Sequence, residues 1–167
     1  MVSGRLVVGS LKVVLVGQAP PHYGSNEFAL YPAPTGCAGW WLCRYMGLEQ
    51  TEYLRLFERT NVLSRFPGKL KSGDKFPMAE AVAASGPLAA ALGGRRVVLV
   101  GKQVATAFGM GGNPMAVFGP HRGFTGAWVP HPSGRNRMWN DPAVRVIVAE
   151  FFAGLVDMAR GAVNAGG

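Results

Sequence analysis

Three short stretches, Leu11 to Val16, Arg96 to Val100 and Phe124 to Val129, are mostly apolar and carry β-branched side chains. Such runs read as strands buried on both faces, and strands of that kind belong to parallel sheets covered by helices. Leu56 to Leu63 is a weaker fourth candidate, ending near Thr60-Asn61. The segments between them fit helices. Gly36 to Met46 ends at Gly47, the Ala-rich Pro77 to Leu92 ends at Gly93-Gly94, and Lys102 to about Phe108 is a short third helix. Asp141-Pro142 opens a last helix with a capping side chain and a proline in its first turn. Its Val144, Ile147, Val148, Phe151, Phe152, Leu155 and Val156 keep one face apolar. Strands alternating with helices predict an α/β fold, a three-layer α/β/α sandwich around a short central parallel sheet of about four strands. With no repeat and no linker, residues 1–167 are expected to form one domain.

In open α/β sheets, ligands bind beyond the carboxyl ends of the strands. Two segments about 110 residues apart occupy such positions. Gly17-Gln18-Ala19-Pro20-Pro21-His22 follows the first strand, and His131-Pro132-Ser133-Gly134-Arg135-Asn136 follows the last. The loop from Gln18 to about Thr35 is too long for a mere connector, which marks it as functional. Lys69 to Phe76 reads as a polar, basic loop, and Met110 to Gly123 as a Gly/Pro-rich loop carrying His121-Arg122.

The charge balance points to a polyanion. Lys and Arg number 17 against 9 Asp and Glu. No acidic residue lies between Glu80 and Asp141, a span holding Arg95, Arg96, Lys102, Arg122, Arg135 and Arg137. Arg59, Arg65, Lys69, Lys71 and Lys75 form a second basic cluster with only Asp74 as counterweight. Such cations displace the counterions condensed on phosphates, although the loop from Lys69 to Lys75 reads equally well as a solvated face.

Several chemistries lack their residues. Cys37 and Cys43 make neither a disulfide framework nor a CxxC metal site, so free thiols in an intracellular chain are expected. No apolar run approaches the ~20 residues of a membrane span. Lys12 interrupts the apolar stretch from Leu6 to Val16, which reads as strand rather than signal peptide. Arg96 stands where a phosphate loop preceding Gly101-Lys102 needs a glycine, and no G-x-G-x-x-G follows a strand. A nucleophile elbow and a zinc-binding helix are also missing.

The order of the remaining motifs resembles the uracil-DNA glycosylase superfamily from roughly Val13 to Leu155. In layout the chain is most similar to the branch with a G-E-A-P-G loop. That pattern continues with a stretch like Gly36-Cys37-Ala38-Gly39-Trp40-Trp41-Leu42 and a Thr-Asn like Thr60-Asn61. A strand–Gly–helix like Val97 to Phe108, an Arg-Gly like Arg122-Gly123 and a His-Pro-Ser like His131-Pro132-Ser133 complete it. The resemblance implies a monofunctional DNA glycosylase that hydrolyses the bond between the sugar and a flipped uracil or other modified base. It implies a monomer that acts on DNA in the cytoplasm, at the nucleoid, and needs neither metal nor other cofactor.

Carried over residue by residue, the resemblance gives His131 as donor to the oxygen of the departing base, with backbone N–H groups of Gln18 and Ala19 assisting. This would be the equivalent of an oxyanion hole. Asn61 would read the edge of the base, since one amide both donates and accepts. Phe28 or Tyr31 would stack on the base, and Pro21 would border it. Ser133, Gly134, Arg135, Arg137 and Met138 would meet DNA, with Arg135, Met138 or Trp139 as the wedge that fills the vacated stack. Trp40 and Trp41 are expected to pack a helix, and His121 to be an ordinary loop residue.

The departures also matter. Superfamily members commonly carry Asp, Glu or Asn where this chain has Gln18 and Ala19, so the usual water-activating group is missing, with Glu27 and His22 as possible substitutes. Pro21 replaces a bulky Tyr that excludes thymine in some members, which implies room for larger 5-substituted pyrimidines. The four cysteines of the nearest branch are absent, which implies a member without an iron–sulfur cluster. Two alternatives follow: a non-catalytic DNA- or base-binding member of the fold, and an enzyme acting on modified bases or nucleotides in DNA hypermodification.

Overall fold

A computed structural model describes residues 6–21, 24–71 and 73–166. The central sheet is built from β1 (Val13–Gly17), β2 (Phe57–Asn61), β5 (Arg96–Val100), β6 (Gly119–His121) and β7 (Phe124–Val129), in the order β2-β1-β5-β7-β6. The four expected strands are present and mutually parallel. A fifth, β6, pairs antiparallel with β7 at one edge. Two further strands, β3 (Lys69–Leu70) and β4 (Gly73–Asp74), form a separate antiparallel hairpin within what reads in the sequence as a loop.

Alternation along the strands sorts the two helical layers. Val13, Leu15, Val98, Val100 and Val129 face a core cluster shared with α1 (Ala38–Tyr45), α2 (Gln50–Leu56) and α5 (Pro142–Ala165). Val14, Val16, Val97, Leu99 and Trp128 face the opposite cluster, filled by α3 (Met78–Ala91) and α4 (Lys102–Ala107). Every residue of β1 is buried. That double burial is why the strand reads as an unbroken apolar run rather than an alternating one. The three-layer α/β/α sandwich is therefore the architecture of this chain.

Local chemistry sets the boundaries. Asp141 Oδ1 accepts from the Ala143 N–H at 2.9 Å, capping α5 as its sequence suggests. The first strand begins at Val13, two residues later than the apolar run. Arg122 and Gly123, the Arg-Gly pair of the sequence pattern, both have positive φ (47° and 89°) and turn β6 into β7. Two such residues make the tight turn whose twist suits a hairpin. Their position is thus explained by backbone geometry. Arg122 Nη1 donates to Ser85 Oγ at 3.0 Å, away from the cleft described below. His121, expected in a loop, lies on β6, with its Nε2 against the carbonyl of Phe108.

Two basic residues counted with the polyanion-binding clusters serve the interior instead. Arg95 Nη2 bonds Glu58 Oε2 at 2.7 Å and the carbonyl of Lys12 at 2.8 Å. The side chains of this pair are only 10% and 8% exposed. Arg59 donates to the carbonyl of Ala29 at 2.8 Å and lies over the ring of Tyr31. Burial pushes its guanidinium below the ordinary value. No helix is long and apolar enough to cross a membrane among the described residues.

Candidate functional site

A cleft of about 330 Å³ opens at the carboxyl ends of β1, β2 and β7. It is built from five pieces of chain: the turn after β1, the loop from Phe28 to Pro34, the start of α1, Asn61 at the end of β2, and the segment from His131 to Ser133. The hairpin β3–β4 adds Asp74 and Lys75 to the rim. Thus Gln18, Ala19, Pro21, Phe28, Tyr31, Asn61, His131 and Ser133, all singled out in the sequence, line one cleft. Gly134, Arg135, Arg137 and Met138 do not line it.

His131 is partly buried and its ring orientation is fixed. The backbone N–H of Ser133 donates to His131 Nδ1 at 3.2 Å. A backbone amide can only donate, so Nδ1 must be the acceptor and the ring proton sits on Nε2. The carbonyl of His131 is held by two donors, Trp139 Nε1 at 2.8 Å and Asn136 Nδ2 at 3.0 Å. Asn136 in turn accepts from the Met138 N–H at 3.1 Å. A cluster of local bonds therefore holds the loop rather than leaving it to solvent.

Burial holds the His131 imidazole below its ordinary value of 6.5, while the charge of Asp74 acts in the opposite sense. Protonation would also turn Nδ1–H against the Ser133 N–H. The neutral ring is therefore the native form near pH 7. Because the folded-state value is depressed, the contribution of neutral His131 to stability is complete above about 6.5 and is lost as the pH falls through the folded value. An NMR titration of the ring should give a midpoint below 6.5; a midpoint at or above it would contradict the burial argument.

The first-motif residues are positioned by backbone pairing. Gly17 and Asn61 are register partners in adjacent parallel strands. A Cβ on Gly17 would lie 2.7 Å from Asn61 Oδ1, so the glycine leaves the space that the amide fills. The carbonyl of Gln18 accepts from the Leu63 N–H at 2.9 Å, and its side-chain Nε2 donates to Gln103 Oε1 at 3.3 Å. The Pro21 carbonyl accepts from the Gly24 N–H at 3.0 Å.

Of the two aromatic candidates, the rings of Phe28 and Tyr31 meet edge to face at 5.4 Å. Tyr31 is already engaged: the Arg59 guanidinium lies 5.6 Å from its ring, and its carbonyl accepts from Cys37 Sγ at 3.2 Å. Phe28 is 48% exposed. The loop beneath them is pinned by Tyr53, whose hydroxyl donates to the Leu30 carbonyl at 2.8 Å, and by Gln50, which bonds the Pro32 carbonyl at 3.1 Å.

Other expectations resolve differently. Glu27 lines a separate cavity of about 360 Å³ beside Lys12 and Glu58, so it is no substitute for a cleft carboxylate. His22 lies outside the described residues. Met138 packs partly buried against both core clusters, and Trp139 stacks on Tyr45 at 5.0 Å while bonding His131. Arg135 and Arg137 are exposed on the same loop. Trp40 and Trp41, expected to pack, lie partly buried on α1 against each other at 4.8 Å. Sequence reading missed Asp74, the one carboxylate among the described residues lining the cleft. Its only signal is that it stands alone among basic neighbours. No group of three or more potential metal ligands occurs among the described residues.

Neither models of protein families nor curated proteins give a match to this chain.

Proposed function

We propose that the protein is a DNA glycosylase that hydrolyses the bond between deoxyribose and a flipped uracil or related modified base. The observation that carries this reading is the His131 ring, held at Nδ1 by the Ser133 amide in a cleft that it shares with Asn61. Cleavage of an N-glycosidic bond leaves negative charge on the base oxygen and positive charge on the sugar. A fixed neutral donor stabilises that anion with little reorganisation. Asn61 offers an amide to the base edge, and Pro21 leaves the wall beside it without a large side chain.

Phe28 is the stacking partner in this reading, because its ring is the more open of the two. Base–aromatic stacking contributes about 1–3 kcal/mol per base. Phe28→Ala should therefore weaken binding of uracil-containing DNA by roughly 5- to 150-fold, as measured by fluorescence anisotropy, whereas Tyr31→Phe should change it little. Equal binding by Phe28→Ala and wild type would remove Phe28 from the site. Arg135 and Arg137 are the cations offered to the phosphates. The function itself is tested by incubating the protein with oligonucleotides that each carry one uracil, hypoxanthine or 5-substituted uracil, then cleaving abasic sites with alkali.

The binding-protein alternative draws on one observation, the absence of an acidic side chain at Gln18 and Ala19. Tight DNA binding without strand cleavage in the same assay would favour it.

A further inference from the structure

Neither Gln18 nor Ala19 can take a proton from water, and Glu27 lines another cavity. The cleft nevertheless contains a carboxylate. Lys75 N–H donates to the Gly68 carbonyl at 2.8 Å, closing the hairpin whose second strand ends in Asp74. Asp74 thereby lines the same cleft as His131, Gln18 and Asn61, although more than 50 residues separate it from each of the first and last motifs. It is also near enough for its charge to act on the imidazole of His131. Asp74 is thus part of the cleft wall and within electrostatic reach of His131.

We propose that Asp74, carried by the β3–β4 hairpin, is a catalytic carboxylate of this cleft. This inference rests on the glycosylase reading. The reaction needs opposite charges on its two sides: a donor for the base, which becomes an anion, and a carboxylate for the sugar, which becomes a cation. His131 supplies the first and Asp74 the second. As the bond from C1′ to the base nitrogen breaks, its electron pair leaves with the base, whose oxygen is held by His131 Nε2–H. A water oxygen then bonds to C1′, its proton passes to an Asp74 oxygen and from there to solvent, and the departing base is protonated from solvent. No oxidant, metal or further reactant is required. Gln18, which lines the same cleft, would help to orient the water.

The test uses the whole protein and two kinds of measurement. The first compares binding to duplexes containing an abasic-site analogue, either a cationic pyrrolidine or a neutral tetrahydrofuran. The wild type should prefer the cation by roughly tenfold or more, the scale of one near charge, and Asp74→Asn should lose that preference. Asp74→Glu should recover part of it. The second measures base release, which Asp74→Asn should lower by roughly 10²–10⁴-fold, with little change in KM. Asp74 is exposed, so the isosteric change should leave the melting temperature unaltered. Asp74→Asn that retains the cation preference and releases base within threefold of wild type would overturn the assignment and leave the glycosylase reading standing. A wild type that releases no base from any substrate would overturn the glycosylase reading, and the catalytic role of Asp74 with it.

Discussion

His131→Ala is expected to slow base release by roughly 10²–10³-fold, the scale for removing one donor to a developing anion. The loss should fall on kcat, because the Nε2–H contact strengthens as charge moves onto the base and contributes little before that. Affinity for DNA should change little, since the cations offered to the backbone, Arg135 and Arg137, lie outside the cleft. The fold should tolerate the change. The loop is anchored by the His131 carbonyl, which alanine retains along with its bonds from Asn136 and Trp139. Single-turnover kinetics separates these effects. Activity within threefold of wild type would show that another group holds the anion.

Arg95→Met is expected to destabilise the protein by about 3–5 kcal/mol, the range for stranding one member of a buried ion pair. Glu58 would lose its partner in a site where its side chain is 8% exposed. The Lys12 carbonyl would lose its donor as well. That penalty comes chiefly from the unpaired carboxylate, so the double variant Arg95→Met, Glu58→Leu should recover much of the loss. Urea unfolding of the wild type and the two variants measures it. A single variant as stable as wild type would mean that water or another cation reaches Glu58.

The parts of the fold legible in the sequence are those where a single physical signal dominates. β1, β5 and β7 are buried on both faces, so their composition alone marks them. The cap and proline at Asp141-Pro142 likewise mark the start of α5. α2 is not legible because only Tyr53 and Leu56 of its seven residues are buried, and it runs straight into β2 with no turn between them. β6 is three residues with a proline in the middle, a sequence tolerated only because the strand lies at an edge. The hairpin β3–β4 is two residues per strand, both exposed in the first, and carries no periodic pattern.

The site divides in the same way. Gln18, Asn61 and His131 are readable because each lies at or within two residues of a strand end, where an α/β sheet presents its ligand-binding loops. Asp74 is not, since its approach to the cleft depends on how a polar hairpin folds back. Arg59 and Arg95 show the converse error: a count of charges along the chain cannot tell a phosphate-binding cation from one held by a carbonyl or a buried carboxylate.

The most direct test of the glycosylase account is mass-spectrometric detection of free base after the purified protein is mixed, in excess, with an oligonucleotide carrying one uracil or 5-substituted uracil. The account requires free base and an abasic strand in equal amounts, formed by wild type and strongly reduced in His131→Ala. An oligonucleotide recovered intact from a stable complex with the wild-type protein, across the whole series of bases, would contradict it.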